Sequence, residues 1–313
     1  MTQKSPQPSA FADDVTSVYE SLLQDIRARD DGLGSTAPDG ISVPAVAENL
    51  RLPLELWVYG KKPTRTVPAL VAYDDRVEVV ETQHLKLLVG LDVLVTMLDE
   101  FIDTANASTQ DRLQVAVNVA FASLLSFVNV PNVNAEAITE TITEYLVETA
   151  RIPSVERAVH RELVQTDSID DAVALMQFAY AYRARDITAF GQVPGVLYDI
   201  DEDTVDRTVR DLVTYRAHSL VFDDIRDVRQ DVHNGVQTPV VWLLWTHDDV
   251  SIVRDVLAEL FAQFEYADTP YRYTLRELEH EPDDVESALE AGKNALSEES
   301  ACLESTSVSE DRK

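Results

Sequence analysis

The sequence predicts an all-α protein, and three observations predict it. Apolar residues recur at three- and four-residue spacing along most of the chain. Glycine is scarce, at 9 of 313 residues. Runs of β-branched residues such as Val240-Val241 are short and lack the two-residue alternation of a strand. With 45 % hydrophobic residues the chain can bury a large core.

The elements follow in order. Val15, Val18, Tyr19, Leu22, Leu23 and Ile26 form one apolar helical stripe, and residues 29–44, rich in Asp, Gly, Ser and Pro, read as a loop. Helical patterns then run over 45–58, 67–80, 83–107, 111–129, 135–149, 155–165, 169–190, 203–231, 238–246, 250–264 and 270–279. Pro53, Gly60 to Pro63, Pro131, Pro153, Gly191 to Gly195, Gly235 and Pro270 supply the breaks. The apolar run Leu113–Val130 carries Gln114, Asn118, Ser123, Ser126 and Asn129, and reads as a buried helix with no membrane span. No repeat and no linker divides the pattern. One domain is expected over 15–280, with a polar tail at 1–14 and an acidic, partly disordered tail at 281–313.

The formal net charge is −30, and lysine occurs only at positions 4, 61, 62, 86, 293 and 313. This is the composition of a soluble protein adapted to high salt, since a Debye length of about 3 Å at molar salt mutes the self-repulsion. No basic stripe offers itself to nucleic acid. The lone Cys302 excludes an intramolecular disulfide and a thiolate metal site. Residues 1–14, polar and with Pro6 and Pro8, show no signal-peptide pattern, so a cytoplasmic location is expected. His84, His160 and His247 stand apart in the sequence and form no zinc pattern.

Two acidic segments stand out. Asp99-Glu100-Phe101-Ile102-Asp103 ends a nearly all-apolar helical stretch, and its two aspartates are four residues apart on one face. Asp223, Asp227 and Asp231 repeat that spacing, with Asp224 adjacent. Acidic pairs such as Asp74-Asp75 and Asp248-Asp249 occur throughout this chain, where a solvated surface is the ordinary reading. Like charges at i, i+4 cost a few tenths of a kcal/mol per pair in a helix. A hard cation would repay that cost, and magnesium takes one or two carboxylates and fills its shell with water and phosphate oxygens. Two such clusters facing each other across a helical core would form a cage for Mg2+ and a diphosphate. A solvated acidic face, with Arg226 and Arg229 as neighbours, is the other reading of the same spacing.

The surroundings of these acids resemble the trans-isoprenyl diphosphate synthase (polyprenyl synthetase) family. Asp99 to Asp103 resembles its first Asp-Asp-x-x-Asp motif, with Glu100 in the second place. Upstream, Gly60-Lys61-Lys62-Pro63-Thr64-Arg65 keeps the lysine-to-arginine spacing of a family motif through Lys62 and Arg65. Asp223-Asp224-Ile225-Arg226-Asp227-Val228 is similar to the second aspartate motif, and Asp231 to Pro239 is similar to the stretch that follows it. The likeness covers roughly 45–245 in three ordered motifs. Departures are plain: the arginine pair after the first motif reads Ser108-Thr109, with Arg112 the nearest substitute, and Ser219-Leu220 replaces a Phe-Gln. A lysine of the preceding helix has Arg183 or Arg185 in its neighbourhood. The run Arg226 to Gly235 also resembles head-to-head squalene/phytoene synthases, and the Asp223/Asp227/Asp231 spacing the metal triad of terpene synthases.

The resemblance implies a helical bundle of the isoprenoid synthase (class I terpenoid synthase) type. It implies a prenyltransferase in which Asp99, Asp103, Asp223, Asp224 and Asp227 act on a magnesium-bound allylic diphosphate. The metal ligands would be Asp99, Glu100, Asp103, Asp223, Asp227 and Asp231. Lys62, Arg65, Arg112 and Arg185 would bind diphosphate, including that of isopentenyl diphosphate if the chain elongates. Family members pair as dimers, so a homodimer or a heterodimer with a related synthase is expected. Two alternatives stand beside this reading: a non-catalytic regulatory or partner subunit, and a terpene or head-to-head synthase that needs no isopentenyl diphosphate.

Overall fold

The computed structural model describes residues 14–21, 24, 65–73, 80–103, 134–166, 168–264 and 285–310, with side chains except at 93, 94, 96–103 and 299–310. These residues form helices and no strand, so the protein is all-α. In chain order the helices are α1 (Thr66–Val71), α2 (Thr82–Asp103), α3 (Ala135–Thr149), α4 (Ile152–Leu163) and α5 (Ile169–Arg183). They continue with α6 (Thr188–Leu197), α7 (Glu202–Asn234), α8 (Pro239–Thr246), α9 (Val250–Gln263) and α10 (Val285–Glu310). The expected helices at 45–58, 111–129 and 270–279 lie outside the described residues. None of the described helices is long and apolar enough to cross a membrane.

The chain divides into two compact units, Met1–Glu140 with Phe190–Val205 and Thr141–Ala189 with Asp206–Lys313. In the first unit, Val15, Val18 and Tyr19 of the N-terminal stripe are buried, as are Leu70, Leu85, Leu88, Val89, Phe190 and Val193. Tyr73 is buried too and donates its hydroxyl to the carbonyl of Gly191 at 2.7 Å. The tight packing of α6 corrects one expectation. Gly191 to Gly195 does not break the helix; the interruption comes earlier, as a 3-10 turn over Ala184–Ile187. Gly195 is there for close approach, because a Cβ would lie 2.5 Å from Val205 Cγ2. The chain then leaves α6 through Asp199 in the left-handed region, φ 52°, and Ile200 N–H closes the turn on Gly195 O at 2.9 Å.

The second unit is built around one apolar cluster drawn from α4, α5, α7, α8, α9 and α10. Its helices start where local chemistry caps them. Ser168 Oγ accepts from Asp171 N–H ahead of α5, Thr238 Oγ1 from Val241 N–H ahead of α8, and Asp249 from Ser251 N–H ahead of α9. Pro239 follows Thr238 in the first turn, where its missing N–H costs nothing. Helix α7 ends at Gly235, φ 69°, with Val236 N–H on Asp231 O at 2.8 Å. That is the left-handed close glycine permits.

Within the stretch expected to be a tail, Val285–Glu310 forms α10. Helix α10 buries Leu289, Ala295 and Leu296. Its Gly292 is set so close that a Cβ would be 3.0 Å from both Leu244 Cδ1 and Val228 Cγ2. Lys293 Nζ donates to Leu244 O at 2.8 Å and His247 O at 2.9 Å, supplying a cation to carbonyls at the end of α8 that have no helical partner. Over 285–298 the segment looks polar in sequence because much of its buried side is small, Ala288, Gly292 and Ala295 beside only two leucines.

Because α10 completes this core, Leu289→Ala is expected to destabilise the protein by about 2–5 kcal/mol. Deleting 285–313 should lower the thermal midpoint further. Circular-dichroism melts of the full chain and both variants check this; a deletion that melts like the full chain would return α10 to the status of a tail.

Candidate functional site

Helix α7 carries the second acidic segment, and its buried stripe decides which way each acid points. Ala217, Leu220, Val221, Ile225, Val228 and Val232 are buried, and Asp224 lies among them with only 5 % of its surface exposed. A carboxylate there is tolerable only if donors surround it. Tyr180 donates its hydroxyl to Asp224 Oδ2 at 2.7 Å. Arg183 donates Nη1 to Oδ2 at 2.6 Å and Nη2 to Oδ1 at 3.4 Å. The same guanidinium reaches Glu156 of α4 through Nε at 3.1 Å. Burial, then Asp224, pushes the Tyr180 phenol well above its usual pKa. For Arg183, burial works against the charge, and Asp224 and Glu156 outweigh it to hold the pKa above normal. Glu156, Arg183, Asp224 and Tyr180 thus form one polar network tying α4, α5 and α7.

The exposed side of α7 presents Asp223 and Asp227, whose side chains are 40 % and 47 % exposed. Arg226 bridges them, 2.8 Å from Asp223 and 3.0 Å from Asp227. Burial raises the Asp223 pKa, opposed by Arg226 and Arg216 and assisted by Asp224 and Asp227. One turn further on, Asp231 drifts about 40° around the helix, toward the direction of Asp224. The three aspartates therefore do not present equally, and Asp223 with Asp227 is the open pair. Two turns before Asp223, Arg216 holds Asp186 through both nitrogens at 3.0–3.2 Å, and Tyr145 donates its hydroxyl to Asp186 O at 2.7 Å.

Among the described residues, no group of three or more His, Cys, Asp or Glu side chains is placed to hold a metal ion. The chemistry of Asp223 and Asp227 suits magnesium, which uses one or two carboxylates and takes its other ligands from water and phosphate. Asp224 does not suit it, because both its oxygens already accept from Arg183 and Tyr180 inside the core. That is a correction to its expected role, and its place in the apolar stripe was the signal.

In the first unit, α2 carries Asp99, Glu100 and Asp103 near its C-terminal end. Lys62 and Arg112 lie outside the described residues. Arg65, expected to hold a diphosphate, is turned inward instead, with 2 % exposure. Its Nη1 donates to Asp92 Oδ1 at 3.1 Å, and its N–H donates to Asp92 Oδ2 at 2.9 Å. Thr66 N–H and Oγ1 donate to the same Oδ2 at 2.9 and 3.0 Å. Asp92 itself is fully buried. Sequence reasoning missed Asp92, although a single acid between Leu88, Leu91 and Val95 on an apolar helix is the pattern of a buried, paired carboxylate.

Arg185 is spent on the surface of the second unit. Its Nη1 pairs with Glu148 at 3.0 Å, and its guanidinium lies 5.2 Å from the Tyr182 ring centre. The histidines are dispersed. His84 Nδ1 is 3.1 Å from the Tyr198 hydroxyl, His160 stacks on Trp242 at 4.9 Å, and His218 packs edge-on to Phe222 and Phe261.

No protein-family model matches the chain, and no curated protein matches it.

Two outcomes follow from the charges. Asp224→Asn leaves Arg183 short of a buried counter-ion and should cost about 3–5 kcal/mol, whereas Asp227→Asn, on an exposed and screened pair, should stay within about 0.5 kcal/mol. Chemical denaturation separates them, and equal losses would mean that Asp224 is not a core residue. His218 supplies the second outcome: burial lowers its pKa from 6.5 to about 4. A depressed folded-state pKa favours the native state above pH 6.5, and that contribution is lost as the pH falls from there toward 4. His218→Phe should flatten the stability profile across this window, and an unchanged slope would show that His218 is not shielded.

Proposed function

We propose that the chain is a divergent prenyl-diphosphate-binding protein of the isoprenoid-synthase type, acting on an allylic diphosphate with magnesium. The observation that carries the reading is the open pair Asp223 and Asp227. The two carboxylates stand one turn apart on the solvent-facing side of a helix whose adjoining face is locked into a core by Asp224. The order of motifs along the chain supports it, and the resemblance gives the same task to Asp99 and Asp103 in the first unit.

Asp223 and Asp227 would hold the ion, with Asp231 a turn beyond them. An ion held by Asp223 and Asp227 would supply positive charge against the negative charge that builds on a departing diphosphate. The protein's own work is to fix the pair. The Arg183–Asp224 ion pair and the Arg216–Asp186 fork clamp α7 on either side of Asp223, so the carboxylates are held in place before any ligand arrives. Arg226 neutralises them in the absence of a cation and, released from them, presents a planar guanidinium to phosphate oxygens.

A second reading has its own observation. Arg226 already bridges both open carboxylates, and Arg65 and Asp224 are consumed by internal pairs. A non-catalytic homologue, serving as a regulatory or partner subunit with a related synthase, would look like this.

Purified protein incubated with magnesium and radiolabelled allylic diphosphates, with isopentenyl diphosphate present or absent, decides between the two. The enzymatic reading predicts magnesium-dependent diphosphate release that falls at least about 100-fold in Asp223→Asn/Asp227→Asn, as expected when electrostatic stabilisation of a leaving group is removed. Magnesium-dependent binding without turnover selects the non-catalytic homologue. Absence of both turnover and binding contradicts the prenyl-diphosphate reading.

A further inference from the structure

Helix α5 turns one side into the core of the second unit, through Met176 and Tyr180, and another side to solvent. Asp171, Ala174, Phe178 and Arg185 are exposed, and Tyr182 is half-buried. Phe178 is the extreme case, a large apolar ring left 54 % exposed. Its ring meets that of Tyr182 at 6.0 Å, and the Arg185 guanidinium lies 5.2 Å from the Tyr182 ring centre. Spacings of three, four and seven residues put all of these on one side of the helix.

The order of residues on this face is symmetric about Phe178. Ala174 precedes it by four residues and Tyr182 follows it by four; Asp171 precedes it by seven and Arg185 follows it by seven. A second α5, laid antiparallel and crossing at Phe178, therefore sets Asp171 against Arg185 twice and the small Ala174 against the large Tyr182 twice. Opposite charges meet at both ends, and bulk meets space between them. Opposite ends of the two helix dipoles also lie side by side. A partner segment of a single charge sign would meet a like charge at one end of this face. The same face turned round meets none.

Both charged groups are available for such a contact. Among the described residues the Asp171 carboxylate makes no ion pair; it is the residue's N–H that Ser168 Oγ accepts. Arg185 uses Nη1 on Glu148 at 3.0 Å, a pair whose side chains are 44 % and 41 % exposed, and its other nitrogens have no partner there.

We propose that α5 is a self-recognition surface, through which two copies of the chain pair about a two-fold axis at Phe178. The pairing rests on this face alone and not on the prenyl-diphosphate reading. One helix face on each side buries less than the roughly 800 Å2 per partner of a standard interface, so the dimer is reversible and concentration-dependent.

Sedimentation equilibrium of the full chain over about 1 µM to 1 mM measures it. Potassium chloride near about 1 M mutes the long-range repulsion between two chains of net charge −30 more than it weakens charges in contact. Wild type should show reversible self-association. Asp171→Arg and Arg185→Asp each set like charges against each other twice, and each should weaken that association at least about tenfold. An equimolar mixture of the two variants should associate as wild type does, because each copy then offers the charge the other lacks. The doubly reversed chain should do the same. Recovery in the mixture also shows that both variants are folded. A wild type that stays monomeric, single reversals that associate as tightly as wild type, or a mixture no tighter than its components overturns the proposal.

Discussion

Asp224 is held by Arg183 and Tyr180 inside the second unit, and the orientation of α7 follows from that ion pair. Once Asp224 points into the core, residues 223 and 227 are fixed about 100° and 60° away on one side of the helix, where they meet solvent. The same turn places Val221, Ile225 and Val228 against the apolar cluster. Glu156 extends the pair to α4, so one part-buried guanidinium sets the relation of three helices. Such a pair adds little net stability against an apolar replacement, but it penalises any rotation of α7 that would bury an unpaired charge. It acts as a register device for the face that carries the open acids.

The first unit uses the same principle with the roles of donor and acceptor spread differently. Asp92 on α2 gathers Arg65 and Thr66 at the start of α1, so a short helix with no side-chain cap of its own is anchored by a residue far along the sequence. In both units an arginine is used to bury an acid. The chain carries 56 acidic and 26 basic residues, so each arginine taken inward leaves the exposed acids with fewer partners. Arg226, bridging two carboxylates at once, is the local result.

Much of the fold was legible because three- and four-residue periodicity reports a buried face directly: the helix expected at 135–149 is α3 as observed, and those at 238–246 and 250–264 are matched within a residue at each end. The errors have physical causes. Gly195 signalled a break when it serves a close contact with Val205, and α10 was hidden because Leu289, Gly292, Ala295 and Leu296, half of them small residues, stand among acids. At the candidate site, i, i+4 spacing gave the shared face of Asp223 and Asp227. The inward turn of Asp224 and Asp92 was readable from their apolar neighbours. Their partners Arg183 and Arg65 were not, since pairing across 41 and 27 residues is a property of the folded chain.

The acids divide into structural anions and an open pair, and carbodiimide labelling of carboxylates read by mass spectrometry measures that division residue by residue. Native protein should be labelled at Asp223 and Asp227 and protected at Asp92 and Asp224, with protection of the last two lost only on unfolding. Labelling of Asp92 or Asp224 in the native state at the rate of Asp227 would contradict it.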